Sequence, residues 1–175
     1  MSLKPQDTLL LIKYWSLNQK NQRLSVREIA ESTSISPGEV SKSSKRLIAS
    51  RLAVERSGLV FAEKGAVVEW LNFGVRYMYP QVHTGYGRGL ATSWSCPILH
   101  SEVVSPSPAI VWPLPGGDVE GELVQPMHGS VPAAAREDEL LYRAFSLIEV
   151  IRGGKPRELG IARRLLTELI QQVLP

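Results

Sequence analysis

The 175-residue chain has a single cysteine, Cys96, so it cannot contain an internal disulfide framework. It has no run of eighteen consecutive apolar residues, which argues against a membrane-spanning helix. Its first residues lack the charged-then-apolar pattern of a secretion signal. Together these absences predict a cytoplasmic protein, because a reducing compartment needs no disulfides.

Side chains for metal binding or catalysis are also scarce. Those that could bind a transition metal are His83, Cys96, His100 and His128. No two of them have the i, i+4 or C-x-x-C spacing of structural zinc sites. No serine lies in a nucleophile elbow, and nothing near Cys96 in the sequence would activate its thiol. We therefore predict no metal, no cofactor and no enzymatic activity.

Two patterns in the middle of the chain leave alternatives open. Asp118, Glu120 and Glu122 alternate, so they would share one face of a strand, where paired carboxylates can serve acid–base chemistry. With no partner base, a polar sheet edge is the favoured interpretation. The glycine-rich run 85–89 could bind a phosphate through backbone amides, but it lacks a strand-then-helix context, so a flexible bend is favoured.

Positive charge is concentrated in the first half of the chain. Residues 1–79 hold 12 Lys and Arg against 7 Asp and Glu, a net of +5, whereas residues 80–175 hold 8 against 10, a net of −2. A basic excess attracts nucleic-acid phosphates. The first half is therefore the better candidate for a surface that binds nucleic acid.

Two short segments of this half carry the signals of capped helices. Ser25 is a good N-cap, and Glu28 three residues later closes a capping box. Ser36 repeats the arrangement, with Pro37 suited to the first helical position and Glu39 completing the box. Two capped helices so close together are typical of a helix-turn-helix.

The second of these helices, predicted for residues 37–50, has two different faces. The face expected to pack carries Val40, Ser43, Ser44 and Leu47. The opposite face carries Ser41, Lys42 and Lys45, with Arg46 beside them. A basic face with short hydroxyl side chains suits the major groove of DNA. The alternative is the solvated face of an ordinary surface helix.

The sequence LSVREIAESTSISPGEVSKSSKRLIASRLAVERSGLVF, residues 24–61, resembles the bacterial winged helix-turn-helix transcriptional regulators, broadly MarR-like. The resemblance covers residues 5–76. It implies a buried helix 1 at residues 5–17, a helix 2 at about 26–32 and a wing hairpin turning at Ser57 and Gly58. The wing is short and carries few charges.

The resemblance also implies a function. It implies a transcriptional regulator that binds double-stranded operator DNA as a homodimer, with repression favoured over activation. It extends loosely to regulators that act as antitoxins or sense a ligand. The predicted DNA-binding residues are Ser25, Arg27, Ser36, Ser41, Lys42, Lys45, Arg46, Arg51 and Arg56.

Residues 80–175 are predicted to form a second part of the protein. Residues 80–134 hold 8 of the 12 prolines and 7 of the 14 glycines but only five charges, and we expect strands there only at Ala109–Trp112 and Val119–Val124. This Pro/Gly-rich arm should lie along its own helices, a twin subunit or another protein. Two apolar stripes follow, from Leu140 to Ile151 and from Ala162 to Val173, and predict an αα-hairpin.

The predicted fold class is thus α+β, mainly α. Residues 1–79 form a winged helix-turn-helix domain with a linker helix, and residues 80–175 form the arm and hairpin, which mediate dimerisation or bind a protein partner. In a competing hypothesis the protein is an interaction adaptor, whose winged helix and Pro-rich arm bind a partner enzyme.

Overall fold

A computed structural model describes residues 2–101 and 104–172 of the chain. The helices are α1 (Pro5–Gln19), α2 (Val26–Thr33), α3 (Pro37–Ala49), α4 (Lys64–Glu69), α5 (Val75–Met78), α6 (Val131–Arg136), α7 (Glu139–Gly153) and α8 (Pro156–Gln171). The strands are β1 (Ala53–Arg56), β2 (Leu59–Ala62), β3 (His83–Ala91), β4 (Ala109–Pro113) and β5 (Val119–Val124). The predicted class, α+β with mainly helix, is confirmed. Among the described residues, no helix combines the length and apolar character that crossing a bilayer requires.

Helix α1 lies at the centre of the molecule. Every residue from Asp7 to Leu17 is buried, because apolar side chains occur around its whole circumference. Trp15 is a core residue, since only 1% of it is exposed. Its indole Nε1 donates a hydrogen bond to the carbonyl of Ile170, 3.2 Å away. The first helix therefore contacts the last helix of the chain directly.

The predicted wing is a two-stranded hairpin. Strands β1 and β2 pair antiparallel, with Ala53 opposite Ala62 and Arg56 opposite Leu59. The turn residues Ser57 and Gly58 have φ of +52° and +76°. Two successive positive φ angles are what a tight two-residue hairpin turn requires, and a Ser-Gly pair tolerates them.

The segment after the wing is helical from Lys64 to Met78, but its middle, Trp70–Gly74, is a π turn. The indole Nε1 of Trp70 donates to Thr8 Oγ1 on α1 at 3.1 Å. The ring meets Tyr79 edge-on, with centroids 6.3 Å apart. Trp70 therefore packs against α1 and Tyr79 of its own chain.

The arm contains more regular structure than its composition predicted. Strands β4 and β5 confirm two predicted strands, but the nine-residue β3 was not predicted. It pairs antiparallel with both β4 and β5, which pair parallel with each other and close a small three-stranded barrel. The interpretation of residues 85–89 as a flexible bend was therefore wrong, because they lie in β3.

Glycine lets these strands approach one another closely. A Cβ added to Gly89 would lie 1.8 Å from the carbonyl oxygen of Trp112, and one added to Gly121 would lie 2.1 Å from that of Ala109. Neither position has room for a side chain. Glycine inside a strand commonly marks such a close backbone approach.

The arm packs on α7 of the same chain through a buried ion pair. Arg152 Nη1 lies 2.6 Å from Glu149 Oε1, and both side chains are almost fully buried. Arg152 also donates to the carbonyls of Tyr79, Pro80 and Gln125. Glu149 accepts from the indole of Trp112 at 3.1 Å. Backbone carbonyls from two stretches, at residues 79–80 and at Gln125, and the indole of Trp112 are thus bonded to one helix.

Helices α7 and α8 pack against each other across a two-residue connection, Gly154 and Lys155. Their apolar stripes join those of α1, α3 and the arm in one hydrophobic core. The two parts predicted from the sequence therefore share a core. Val173, expected at the end of the second stripe, lies outside the described residues.

Candidate nucleic-acid interface

A buried ion pair fixes α3 on α1. Arg46 donates to Asp7 through Nε at 2.8 Å and through Nη2 at 2.6 Å, and Ser43 donates to the same carboxylate at 2.7 Å. Asp7 is fully buried and Arg46 is 7% exposed. The prediction that Arg46 lies on the solvent face beside Lys45 was wrong, because the guanidinium is turned inward to neutralise Asp7.

Glu39 belongs to the same network. Its Oε1 accepts from Arg46 Nη2 at 2.5 Å and from Gln6 Nε2 at 3.0 Å. The hydrogen bond from Arg46, followed by that from Gln6, holds the pKa of Glu39 below its ordinary value. Because Glu39 points to Arg46, the expected capping box of α3 forms only in half: Ser36 Oγ accepts from the Glu39 amide at 3.3 Å.

The outer side of α3 is a row of small and basic residues. The side that packs is as predicted, with Val40, Ser43 and Leu47 fully buried. The Tyr14 and Ser44 hydroxyls are hydrogen-bonded at 2.7 Å on its margin. The exposed residues along the opposite side are Ser36, Gly38, Ser41, Lys42, Lys45 and Ala49.

This row suits close contact with a flat or grooved surface. A Cβ added to Gly38 would meet nothing within 4 Å, so the backbone there is open to solvent. The Ser41 hydroxyl donates to the carbonyl of Pro37 at 3.1 Å, a bond within the helix that an external acceptor could replace. Gly38 was not among the predicted site residues, although its spacing from Ser41 and Lys45 on the helix would have indicated it.

The start of α2 presents a second set of polar groups. Ser25 accepts from the Glu28 amide at 3.2 Å, and Glu28 bonds back to the Ser25 amide at 2.7 Å, so the predicted capping box is present. Arg27 is exposed and pairs with Glu31 at 3.2 Å. An exposed pair of this kind contributes little to stability, so Arg27 can turn to another anion at small cost.

The wing adds two exposed arginines. Arg56 lies over the Phe61 ring, 5.9 Å from its centroid, and its Nη2 is 3.4 Å from Glu63 Oε1. Arg51 follows α3 with a φ of +60°, a left-handed conformation that ends the helix. Of the nine predicted DNA-binding residues, the structure leaves eight exposed and buries one, Arg46.

The other chemically interesting side chains do not assemble into a site. Within residues 2–101 and 104–172, no three His, Cys, Asp or Glu side chains come together in a group that could hold a metal ion. His83 Nδ1 instead pairs with Glu122 on the sheet surface at 2.8 Å. Glu120 lies opposite Arg88 across the same strands. Burial raises the pKa of the Cys96 thiol, which disfavours the reactive thiolate.

One comparison with known proteins bears on this interface. The family model described as winged helix-turn-helix DNA-binding matches residues 19–52, which run from the end of α1 through α2 and α3. No curated protein and no solved structure matches the chain. Residues 19–52 are therefore similar to winged helix-turn-helix DNA-binding domains, which supports a DNA-binding regulator in general terms.

Proposed function

We propose that the protein is a bacterial, MarR-like transcriptional repressor that binds operator DNA as a homodimer through α3. The observation that carries this proposal is the exposed row on α3, in which short side chains alternate with Lys42 and Lys45. The match over residues 19–52 supports the same elements as the DNA-binding unit.

The physical basis is that the short residues and the lysines of this row make different kinds of contact with DNA. Short residues such as Gly38 and Ser41 let the α3 backbone approach base edges in the major groove, where Ser41 can donate or accept a hydrogen bond. Lys42 and Lys45 neutralise phosphates and supply affinity with little sequence preference. The buried bonds of Arg46 hold the helix so that this side faces outward.

Repression then follows from occupancy of the operator. A homodimer reads two half-sites about 34 Å apart, one turn of the double helix. A ligand or protein partner, as in regulators that act as antitoxins, would release the DNA by favouring a conformation that cannot dock on both half-sites. The adaptor hypothesis has less support, because Trp112 and Gln125 of the arm, which would have to wrap a partner enzyme, bond to α7 of the same chain.

The test is binding of the 175-residue chain to DNA from upstream of its own gene, measured by fluorescence anisotropy over a range of salt concentrations. We expect Lys42→Ala with Lys45→Ala to weaken binding and to reduce the slope of log K against log salt by about four, because the homodimer loses two phosphate contacts in each of its two protomers.

A matched control removes two other exposed cations, Lys155 and Arg157, which lie at the start of α8 outside the helix-turn-helix. That variant has the same net charge and should keep the wild-type slope. An unchanged slope in the Lys42 and Lys45 variant would remove α3 from the interface. Failure of the wild type to bind in the presence of competitor DNA would overturn the proposal.

A further inference from the structure

Three large apolar side chains remain exposed on the helical segment after the wing. Phe73 is 57% exposed, Tyr77 is 77% exposed and Met78 is 52% exposed. We call these three residues the apolar ridge. Single exposed apolar residues are ordinary on a protein surface, but three within six residues form a patch of the kind that marks an interaction site.

The ridge belongs to a longer row along one side of the segment. Gly65, Glu69, Phe73 and Tyr77 are all exposed and follow one another at intervals of four residues. In a regular α-helix, each step of four residues rotates the side-chain direction by about 40° around the helix axis. The π turn at Trp70–Gly74 adds one residue to the middle turn and cancels much of this rotation. The segment therefore presents one continuous face.

Opposite charges lie on either side of Phe73. Glu69 lies on one side of Phe73 along the helix, and Arg76 lies on the other side, next to Tyr77. Neither forms an ion pair with any residue of the two described ranges. Along the helix the order is therefore acidic at Glu69, aromatic at Phe73 and basic at Arg76, with Tyr77 and Met78 beyond Arg76.

The central ring is held in place from within the chain. The guanidinium carbon of Arg163 lies 4.9 Å from the centroid of the Phe73 ring, and Arg163 Nε donates to the carbonyl of Asn72 at 2.9 Å. A stacked ring loses little conformational freedom when a partner covers its other side. Phe73 is therefore suited to be the centre of an interface, where aromatic residues are enriched.

We propose that this face is the interface between two copies of the chain. The two helical segments pack antiparallel about a two-fold axis near Phe73, so that Glu69 of each protomer lies opposite Arg76 of the other. A two-fold interface uses the same patch twice and must be complementary to itself. The acidic, aromatic, basic order meets this requirement when it is reversed, and this is the reason to assign a second copy as the occupant.

The inference rests on the proposed function in one respect, since it supplies the interface that the operator-binding homodimer needs. It also accounts for the exposure of Tyr77 and Met78, which packing within the chain does not explain. The neighbouring Trp70, Leu71 and Val75 point inward and complete the core, so the ridge is available without disturbing the fold.

The test is sedimentation equilibrium of the 175-residue chain without DNA, using a charge exchange between residues 69 and 76. We expect Glu69→Arg and Arg76→Glu each to raise the dimer dissociation constant by about tenfold or more, because each places like charges opposite one another twice. The double variant, Glu69→Arg with Arg76→Glu, restores the pairs in reversed orientation and should return towards the wild-type constant. Phe73→Ser should make the protein monomeric.

Arg136→Glu, a reversal of an exposed charge on α6, is the control and should leave the dissociation constant unchanged. Circular dichroism verifies that each variant is folded. A wild type that stays monomeric at about 100 µM, or a double variant as weak as the single ones, would overturn the inference.

The outcome also separates this inference from the proposed function. A dimer that responds to the charge exchange but does not bind DNA would retain the interface and overturn the regulator. A monomer that binds operator DNA would retain α3 as the DNA-binding helix, but it would overturn the interface and the homodimer.

Discussion

Three cations within five residues of α3 have different physical roles. Lys42 and Lys45 are exposed, whereas Arg46 is buried against two carboxylates. A planar guanidinium can bond Asp7 with two nitrogens at once, which a lysine ammonium cannot do. The hydrogen bonds that Arg46 donates to Asp7, and then the one to Glu39, raise the pKa of Arg46, so its charge is permanent. Arg46 therefore positions the helix on which the two lysines are displayed.

This role predicts a large loss of stability on removing the guanidinium. Arg46→Met keeps much of the side-chain volume but leaves the fully buried Asp7 without its cation. We expect the free energy of unfolding to fall by about 3–5 kcal/mol, because an uncompensated buried charge is costly. Urea denaturation followed by circular dichroism measures the change.

Lys45→Met is the matched control, since it makes the same substitution at the preceding, exposed residue of the helix. It should alter the free energy of unfolding by no more than about 0.5 kcal/mol. Equal effects of the two substitutions would show that the bonds to Asp7 contribute nothing to holding α3 in place.

The error over Arg46 shows what helical periodicity leaves out. The 3.6-residue repeat assigned Val40, Ser43 and Leu47 to the buried face correctly, but it placed position 46 at the border of the two faces. The positive charge of Arg46 then led to the prediction that it faces solvent. The deciding partner, Asp7, is 39 residues away in the sequence, so no local pattern could identify it.

At the level of elements, local signals predicted the N-terminal part well. The caps Ser25 and Ser36 and the Ser57–Gly58 turn placed α2, α3 and the wing, because these signals act within a few residues of the backbone they shape. Strand β3 was not predicted because its glycines were interpreted as a flexible bend. In the structure, Gly89 allows the backbone of a neighbouring strand to approach closely, and this contact is visible only in the folded arrangement.

The small barrel therefore predicts opposite outcomes for two glycine substitutions. Gly121→Ala would place a Cβ against the backbone of Ala109, and strands must separate to admit it. We expect it to lower the free energy of unfolding by about 2–3 kcal/mol. Thermal denaturation monitored by circular dichroism measures the loss.

Gly160→Ala is the control, because this glycine is exposed in the interior of α8 and an added Cβ meets nothing within 4 Å. It should stabilise the protein by about 0.5–1 kcal/mol, since alanine favours helix over glycine. A neutral Gly121→Ala would mean that β4 and β5 are not packed backbone to backbone.

At the scale of the whole molecule, α1 joins the two parts that composition and charge distinguish. Trp15 bonds to α8, and Ser16 and Lys20 bond to the buried Asp138 at the start of α7, at 2.9 Å each. Burial alone would raise the pKa of Asp138, but the hydrogen bonds from Lys20 and Ser16 outweigh it and lower the pKa. These contacts span more than 100 residues of sequence, so the sequence indicated two parts without showing their shared core.

A shared core predicts cooperative unfolding of the full chain. We expect hydrogen exchange measured by mass spectrometry to give the slowest amides of α1, α3 and α7 the same opening free energy, because none can open without exposing the others' apolar contacts. The amides of the Ser57–Gly58 turn, which is exposed, provide the fast-exchanging internal reference.

Asp138→Ala tests the coupling directly, since it removes the carboxylate that caps α7 and binds α1. We expect the opening free energies of α3 and α7 to fall together, by about 2–4 kcal/mol, although α3 makes no bond to this carboxylate. A drop confined to α7, with α3 unchanged, would mean that the two parts unfold independently. In that case the helix that displays Lys42 and Lys45 would not depend on the C-terminal part, and a signal received there could not reach it through the fold.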